Sequence, residues 1–411
     1  MASATSRREI SLWARRSIST RNVEGRALNG CPLLGGASSA AALVATLLLS
    51  GLLAAGCGTD EPPESGSPSN GRESSADGQA LSADGQALSS DGQALPSDGQ
   101  DISPDERDLV PWEPEVLWAR GGIEDDTVLF GPWSVRGAEG QVLVLDWGGH
   151  RVRAFDLATG DVRWSFGRRG EGPGEFQNPV DMLPLADGRT VVWDTEVGRL
   201  TWVSEDGRLG KMLNVNTVSR PNRFCELAGG TLVALHATQD AALSALTDRG
   251  TLDALGPLPW TTLTDLDALQ RQAEFATGPG GDCVFYLTQS TGFVRVDEEG
   301  FGVPHKYVED MGPPPVVIRE NETTRSTRLG EYQLAVNAGF IRGGEVWLAF
   351  HGLTPRAGRL IDVFDLETGG YLRSYELPWP ITGLGAAEDR VFFLRSVDGY
   401  PVLVAARAPT S

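Results

Sequence analysis

A short apolar run recurs six times between residues 115 and 411, and each copy is followed by a turn and a further strand-like pattern. The copies are VLVLD (142–146), TVVWD (190–194), LVALH (232–236), VFYLT (284–288), WLAFH (347–351) and VFFLR (391–395). Their last residues are 48, 42, 52, 63 and 44 positions apart. Short strands bounded by Gly- and Asp-rich turns, repeated at roughly fifty residues, are typical of the four-stranded blades of a β-propeller.

Six repeats predict an all-β fold, a six-bladed β-propeller of four-stranded blades over residues 111–411. The sixth unit ends after its third strand, whereas EVLWARGG (115–122) precedes the first strand of blade one. We expect 115–122 to supply the outer strand of blade six, which would tie the two termini together and remove an exposed sheet edge. The two longest spacings place insertions at about 257–275 and 309–332.

Residues 1–56 have the composition of an export signal. Six arginines precede a charge-free stretch that ends in LAAGC (53–57), so a basic region, an apolar region and a small-residue exit follow one another. The ending resembles a bacterial lipobox, whose cysteine is acylated and becomes the first residue of the mature protein. The resemblance implies lipidation of Cys57 and an extracytoplasmic, membrane-anchored protein. A plain transmembrane anchor is the alternative, because the apolar stretch is near the lower limit for spanning.

Residues 57–110 have the composition of a flexible linker. Gly, Ser, Pro, Asp and Gln dominate, and a seven-residue unit related to SADGQAL recurs. Each unit carries a single large apolar residue, which excludes a coiled-coil seam. The segment cannot bury enough apolar surface to offset its ordering entropy. We therefore expect a disordered, acidic tether that holds the propeller away from the membrane.

The charge balance excludes one class of partner. The chain has 35 Lys and Arg against 55 Asp and Glu, a net charge of −20, and residues 111–411 alone carry −14. Nucleic acids are bound by an excess of basic side chains. No nucleic-acid partner is therefore expected, and contact with the membrane is expected through the lipid anchor at Cys57.

The segment FGRRGEGPGEFQNPVDM (166–182) lies between the first two repeats. It resembles the G-x-x-G-x-G-P-G-E-F-x-x-P linker of the NHL-repeat and related six-bladed propeller family. The matching residues are Gly167, Gly170, Gly172, Pro173, Gly174, Glu175, Phe176 and Pro179. Glycines permit the positive φ of a tight crossover, and Phe176 is expected to fill the space between two blades.

A rival resemblance points to a larger ring. AFDLATGDVRW (154–164) is similar to the repeat of quinoprotein-type eight-bladed propellers. That repeat is mostly turn chemistry, in which Asp and Thr-Gly close a hairpin. Because six repeats can be counted, six blades are predicted, with seven or eight as the alternative.

Propellers bind ligands where equivalent residues of the blades converge at a mouth of the central channel. The ends of the second strands place Asp146, Asp194, His236, Thr288, His351 and Arg395 on one rim, and Trp147 follows directly as a stacking candidate. Two Asp and two His could hold a divalent metal (Asp146, Asp194, His236, His351), although the spacing matches no short ligand motif. The alternative is that the aspartates cap the turns that follow them.

These observations predict a binding scaffold for a protein, peptide or glycan at the cell envelope. Two alternatives stay open: a propeller hydrolase or lyase that uses the rim, with a divalent metal as a possible cofactor, and a quinoprotein-like assembly scaffold of the outer membrane. Cys225 and Cys283 remain after Cys57 is acylated, and in an oxidising compartment they either form a disulfide or pack as small core residues.

Overall fold

Six antiparallel sheets form a ring, one sheet for each repeat. The computed structural model describes residues 102–409, apart from 124, 126, 216–220, 237–241, 257–271, 290–291, 310, 312–315, 321–324, 330–333 and 353–355. The predicted all-β, six-bladed propeller is confirmed. The alternative of seven or eight blades is wrong, because the ring consists of six blade sheets. The quinoprotein-like segment 154–164 forms an ordinary hairpin turn, in which Asp156 accepts the N–H groups of Ala158 and Thr159.

In blades one to five the first four strands follow one another in chain order from the channel outwards. Blades one to three comprise β3 (Pro132–Ala138), β4 (Gln141–Asp146), β5 (Arg151–Asp156), β6 (Val162–Phe166), β7 (Pro179–Pro184), β8 (Thr190–Asp194), β9 (Arg199–Val203), β10 (Leu209–Asn214), β11 (Arg223–Glu226), β12 (Leu232–Leu235), β13 (Leu243–Leu246) and β14 (Leu252–Gly256). Blades four and five comprise β15 (Ala273–Thr277), β16 (Cys283–Leu287), β17 (Gly292–Asp297), β18 (Gly300–Lys306), β21 (Val336–Arg342), β22 (Glu345–Phe350), β23 (Leu360–Asp365) and β24 (Tyr371–Glu376).

Blade six contains strands from both ends of the described chain. Its inner strands are β25 (Gly383–Ala387), β26 (Arg390–Val397) and β27 (Tyr400–Arg407), and β2 (Val116–Gly121) pairs antiparallel with β27 at the outer edge. Trp118 of β2 donates a hydrogen bond from Nε1 to the carbonyl of Leu157 in blade one, at 3.1 Å. The predicted closure by the segment 115–122 is confirmed.

A segment that composition assigned to the tether lies against blade five. β1 (Leu109–Pro111) pairs in parallel with β24 and adds a fifth strand to that sheet. Arg107 binds both carboxylate oxygens of Asp362, at 3.2 and 3.0 Å, and contacts Glu309, and all three side chains are buried. Composition averaged over the tether does not reveal this contact, because one arginine is recognisable as part of a folded domain only with its buried partners.

The NHL-like linker between blades one and two has the predicted local structure. Gly167 has φ +106° and Gly174 has φ +75°, and a Cβ on Gly167 would lie 2.6 Å from the Phe176 ring. Phe176 is fully buried and packs in a cluster with Leu143 of blade one and Met182 of blade two. Phe176 therefore fills the space between these blades, as predicted.

The second predicted insertion contains an additional hairpin of β19 (Val316–Glu320) and β20 (Arg325–Leu329). The first insertion lies mostly outside the described residues, which resume within it at Gln272. Where the chain is described, it has no helix of the length and hydropathy needed to cross a bilayer.

Cys225 and Cys283 form a disulfide between the inner strand of blade three and the second strand of blade four, with Cα atoms 6.3 Å apart. The sequence left open whether these cysteines form a disulfide or pack as free core residues, and in the structure they form the disulfide. The bond joins residues 58 positions apart, and both cysteines are fully buried. The disulfide therefore links blades three and four covalently.

Replacing both cysteines (Cys225→Ala with Cys283→Ala) is expected to lower the free energy of unfolding by about 4 kcal/mol, because a loop of this length loses a large chain entropy when it is closed. Denaturant titration of the full chain, non-lipidated through Cys57→Ser, measures the change. Reductant should lower the stability of the parent and leave the double variant unaffected. Quantitative alkylation of Cys225 and Cys283 in the unreduced, denatured protein would contradict the bridge.

Arg107→Met is expected to destabilise the domain by about 3–5 kcal/mol, because it leaves Asp362 and Glu309 buried without their counter-charge. Arg407→Met is the matched control: Arg407 pairs with Glu115 and Asp389 at the exposed outer edge of blade six, where the loss should stay below about 1 kcal/mol. Urea unfolding of the same full chain measures both. Equal effects would show that the 102–111 segment does not stabilise the propeller through Arg107.

Candidate functional site: the channel mouth

The second strands of all six blades end on the same face of the ring, where the inner strands begin. Asp146 and Asp194 are the last residues of β4 and β8, and His236, Thr288 and His351 directly follow β12, β16 and β22. Arg395 lies within β26, which continues to Val397. The topology therefore places these six positions around one mouth of the channel.

Asp146 is fully buried and its carboxylate is engaged. Oδ1 accepts the backbone N–H of Phe130 at 2.7 Å. Oδ2 accepts Nε of Arg151 at 3.2 Å and lies 3.8 Å from Nε of Arg153. The carboxylate thus joins the incoming loop of blade one to the third strand of the same blade.

Asp194 has the same position in blade two and is also fully buried. Its carboxylate accepts four backbone N–H groups: Gln177 at 2.6 Å, Asn178 at 3.1 Å, Glu196 at 3.0 Å and Val197 at 3.1 Å. Two of these donors precede the inner strand and two follow the second strand. Asp194 therefore holds both loops of blade two at the mouth in place. This agrees with the alternative that the rim aspartates cap turns and do not bind a ligand.

Trp147 connects blades one and two. Its Nε1 donates a 2.8 Å hydrogen bond to Oδ1 of Asn178, and its half-buried ring lies 6.4 Å from that of His150. The ring keeps an accessible part at the mouth, so the stacking role stays a prediction.

Two further rim residues hold the mouth together in blades three and four. The backbone N–H of His236 donates to the carbonyl of Ala242, and the side chain is buried. Thr288 donates from Oγ1 to the carbonyl of Gln272 at 3.1 Å, and its own carbonyl accepts the N–H of Ala335 in blade five.

His351 is the rim residue that contacts the channel lining. Its Nε2 lies 2.8 Å from Nδ2 of Asn337, which also donates to the carbonyl of Ile381 at 3.2 Å. Burial lowers the pKa of His351, which favours the neutral ring, and the carbonyl of Ile381 opposes this effect.

The predicted metal set is not assembled. Over the described ranges, no group of three or more His, Cys, Asp and Glu side chains has an arrangement that could hold a metal ion. The carboxylates of Asp146 and Asp194 accept hydrogen bonds from their own loops, which limits their use as ligands.

A buried charged cluster in the channel escaped the sequence analysis. Arg223 binds Oε1 of Glu274 at 2.7 Å, and Tyr286 donates to Oε2 of Glu274 at 3.2 Å. Asp181 accepts the N–H of Phe224 at 2.7 Å, and burial raises its pKa against the opposing charges of Arg223 and Arg136. These side chains come from the inner strands, except Tyr286. The sequence feature that could have indicated this cluster is a charged residue near the start of an otherwise apolar inner strand, as in VDM (180–182) and RFC (223–225).

Arg136 crosses the channel from blade one. Its terminal nitrogens donate to the carbonyls of Phe275 in blade four, at 3.1 Å, and Gly339 in blade five, at 3.2 Å. Since blade four lies opposite blade one in a ring of six, this side chain braces and narrows the channel.

A small cavity lies in the channel around Arg136. It is lined by Trp133, Ser134, Val135, Arg136, Glu274, Tyr286, Asn337, Ala338, Gly339, Gly383 and Leu384. Three lining atoms are buried without a hydrogen-bond partner: Oγ of Ser134, Nε of Arg136 and Oδ1 of Asn337. The cavity volume is about 20 Å³, which is room for about one water molecule. A small polar guest at this place would satisfy these atoms, as buried polar groups normally are.

Comparison with known proteins gives structural likenesses only. No protein-family profile matches the chain, and no curated protein matches its sequence. Among solved structures, a Bacteroides fragilis protein thought to be exported is 10% identical with a TM-score of 0.48, over 74% of this chain and 100% of its own.

Two further structures are similar to the same extent. Virginiamycin B lyase from Staphylococcus aureus is 12% identical with a TM-score of 0.45, over 70% of this chain and 98% of its own. The calcium-binding protein regucalcin from Agrobacterium tumefaciens is 13% identical with a TM-score of 0.43, over 74% and 98%. At this level of identity the likenesses concern the fold and carry no functional assignment.

Asp194→Ala is expected to lower the free energy of unfolding by at least about 2 kcal/mol, because four backbone N–H groups lose one buried acceptor. Asp194→Asn should have an intermediate effect, since one oxygen remains. Asp156→Ala, at an exposed hairpin turn, is the control and should lose less because water replaces its carboxylate. Chemical denaturation compares the three. A fully stable Asp194→Ala protein would mean that this carboxylate is available for chemistry.

Proposed function

We propose that this chain is a lipid-anchored, extracytoplasmic recognition protein, and that its propeller binds a protein, peptide or glycan at the channel mouth. The proposal depends on a contrast at that mouth between side chains that are fully hydrogen-bonded and polar atoms that have no partner. The rim carboxylates Asp146 and Asp194 hold loops in place, whereas Ser134, Arg136 and Asn337 present unpartnered polar atoms to a cavity. A rigid rim around unsatisfied polar groups is suited to binding, because little ordering entropy is lost on association.

Export and anchoring are supported by two separate features. The Cys225–Cys283 disulfide is suited to an oxidising compartment, and LAAGC (53–57) resembles a lipobox. We further propose that the propeller is of the NHL-repeat type, on the strength of the linker from Gly167 to Pro179.

Recognition at the mouth can be tested by photo-crosslinking of the full chain in intact cells. p-Benzoylphenylalanine replaces Phe130 or Tyr400, which are exposed on the mouth face, and in control variants it replaces Glu139 or Asp187, which are exposed in turns on the opposite face. Adducts from the mouth positions alone are the expected result. Adducts from the opposite face alone, or from all positions equally, would refute binding at the mouth.

The anchor has its own test. An alkyne-bearing fatty acid fed to cells that express the full chain should label it, and Cys57→Ser should abolish the label. The hydrolase or lyase alternative predicts a different result from the crosslinking experiment: a small-molecule substrate turned over by the purified chain, with no stable macromolecular adduct at the mouth.

A further inference from the structure

Arg395 differs from the other charged residues of the predicted rim because no protein group compensates its charge. Within the described ranges it has no hydrogen-bond acceptor and no ion-pair partner, and its Nε is buried without a partner. Burial alone lowers its pKa, with no carboxylate to oppose it. The rim carboxylates Asp146 and Asp194, by contrast, are fully engaged. Among the charged side chains of the predicted rim, the charge left without a described partner is therefore positive, although residues 111–411 carry a net charge of −14.

The guanidinium rests on an aromatic platform. Its carbon lies 4.5 Å from the centroid of the Trp379 ring, which in turn packs edge-on against Phe393 at 5.2 Å. Trp379 stands between Pro378 and Pro380, whose rings fix the backbone φ. Stacking on a fixed tryptophan holds a guanidinium in one plane. Its terminal nitrogens carry no internal hydrogen bonds and are not among the buried atoms without a partner, so they are free to meet a ligand.

Arg395 and Trp379 do not line the channel cavity, but both lie near residues that do. Leu394, next to Arg395, pairs with Gly383, which lines the cavity. On the other side, the carbonyl of Ile381 accepts the hydrogen bond from Asn337, another lining residue. The Trp379 loop therefore lies next to residues that line the cavity.

We infer that Arg395, stacked on Trp379, binds a carboxylate group of the ligand at the channel mouth. A planar guanidinium fork matches a planar carboxylate with two parallel hydrogen bonds. One guanidinium also balances the charge of one carboxylate, whereas a phosphate dianion would need a second positive charge. The inference rests on the proposed recognition function and names the chemical group that the mouth selects.

The test uses the full chain, non-lipidated through Cys57→Ser, titrated with N-acetylglycine, with N-acetylglycinamide as the neutral match and with inorganic phosphate. The readout is the Nε–H signal of Arg395 in ¹H–¹⁵N spectra, identified by its loss in Arg395→Lys. N-acetylglycine should shift this signal saturably with a dissociation constant of about 1 mM, and the amide and phosphate should bind at least about tenfold more weakly.

Variants separate the contributions of the positive charge, of the guanidinium geometry and of the Trp379 ring. Where a variant lacks the Arg395 signal, the tryptophan indole N–H signals serve as the readout. Arg395→Gln should abolish the preference for the carboxylate over the amide, and Arg395→Lys and Trp379→Leu should each weaken binding about tenfold. Arg407→Gln, at an exposed and paired arginine, should bind like the parent. Equal binding of acid and amide, no binding of the acid, tighter binding of phosphate, or full binding by Arg395→Lys would each overturn the inference.

Failure here is distinguishable from failure of the recognition function. If mouth-face crosslinks form equally in the parent and in Arg395→Gln, the carboxylate assignment is wrong and recognition at the mouth stands. If N-acetylglycine binds as expected but no mouth-face crosslink forms, the proposed macromolecular partner is wrong.

Discussion

The closure of the ring is the constraint on which the rest of the structure depends. A channel with a defined mouth exists only if blade six meets blade one, and this requires β2 from the start of the described chain to pair with β27 at its end. Trp118 extends the same closure into blade one through the carbonyl of Leu157. Without this pairing, β27 would be the exposed edge of blade six and the two ends of the described chain would not be joined in one sheet.

Two further devices maintain the ring. The segment from Ile102 to Pro111 lies on blade five, next to the closure, and is held there by the buried contacts of Arg107 with Asp362 and Glu309. The disulfide ties blades three and four on the other side of the ring.

The channel itself combines bracing with unmet polarity. Arg136 crosses to the carbonyls of Phe275 and Gly339, and Arg223 is neutralised by Glu274, so most of the buried charge is balanced within the protein. Polar atoms without partners remain at the cavity, together with the guanidinium of Arg395 at the mouth. A scaffold that satisfies its own charges and leaves a few defined groups open has the chemistry of a selective binding surface.

The sequence by itself determined the architecture, because local signals repeat along it. Strand-and-turn units at a regular spacing predicted six blades, the missing strand of unit six predicted the role of 115–122, and the glycines and Phe176 predicted the first crossover. The chemistry of the mouth was decided only by the tertiary structure. Whether Asp194 binds a ligand or its own loops depends on how blade two folds back on itself, because its donors precede β7 and follow β8. Whether Arg395 meets a carboxylate of the protein depends on the groups that the fold places around it. Arg107, Arg136 and Asp181 went unnoticed for the same reason: a buried charge is recognisable only with its partners.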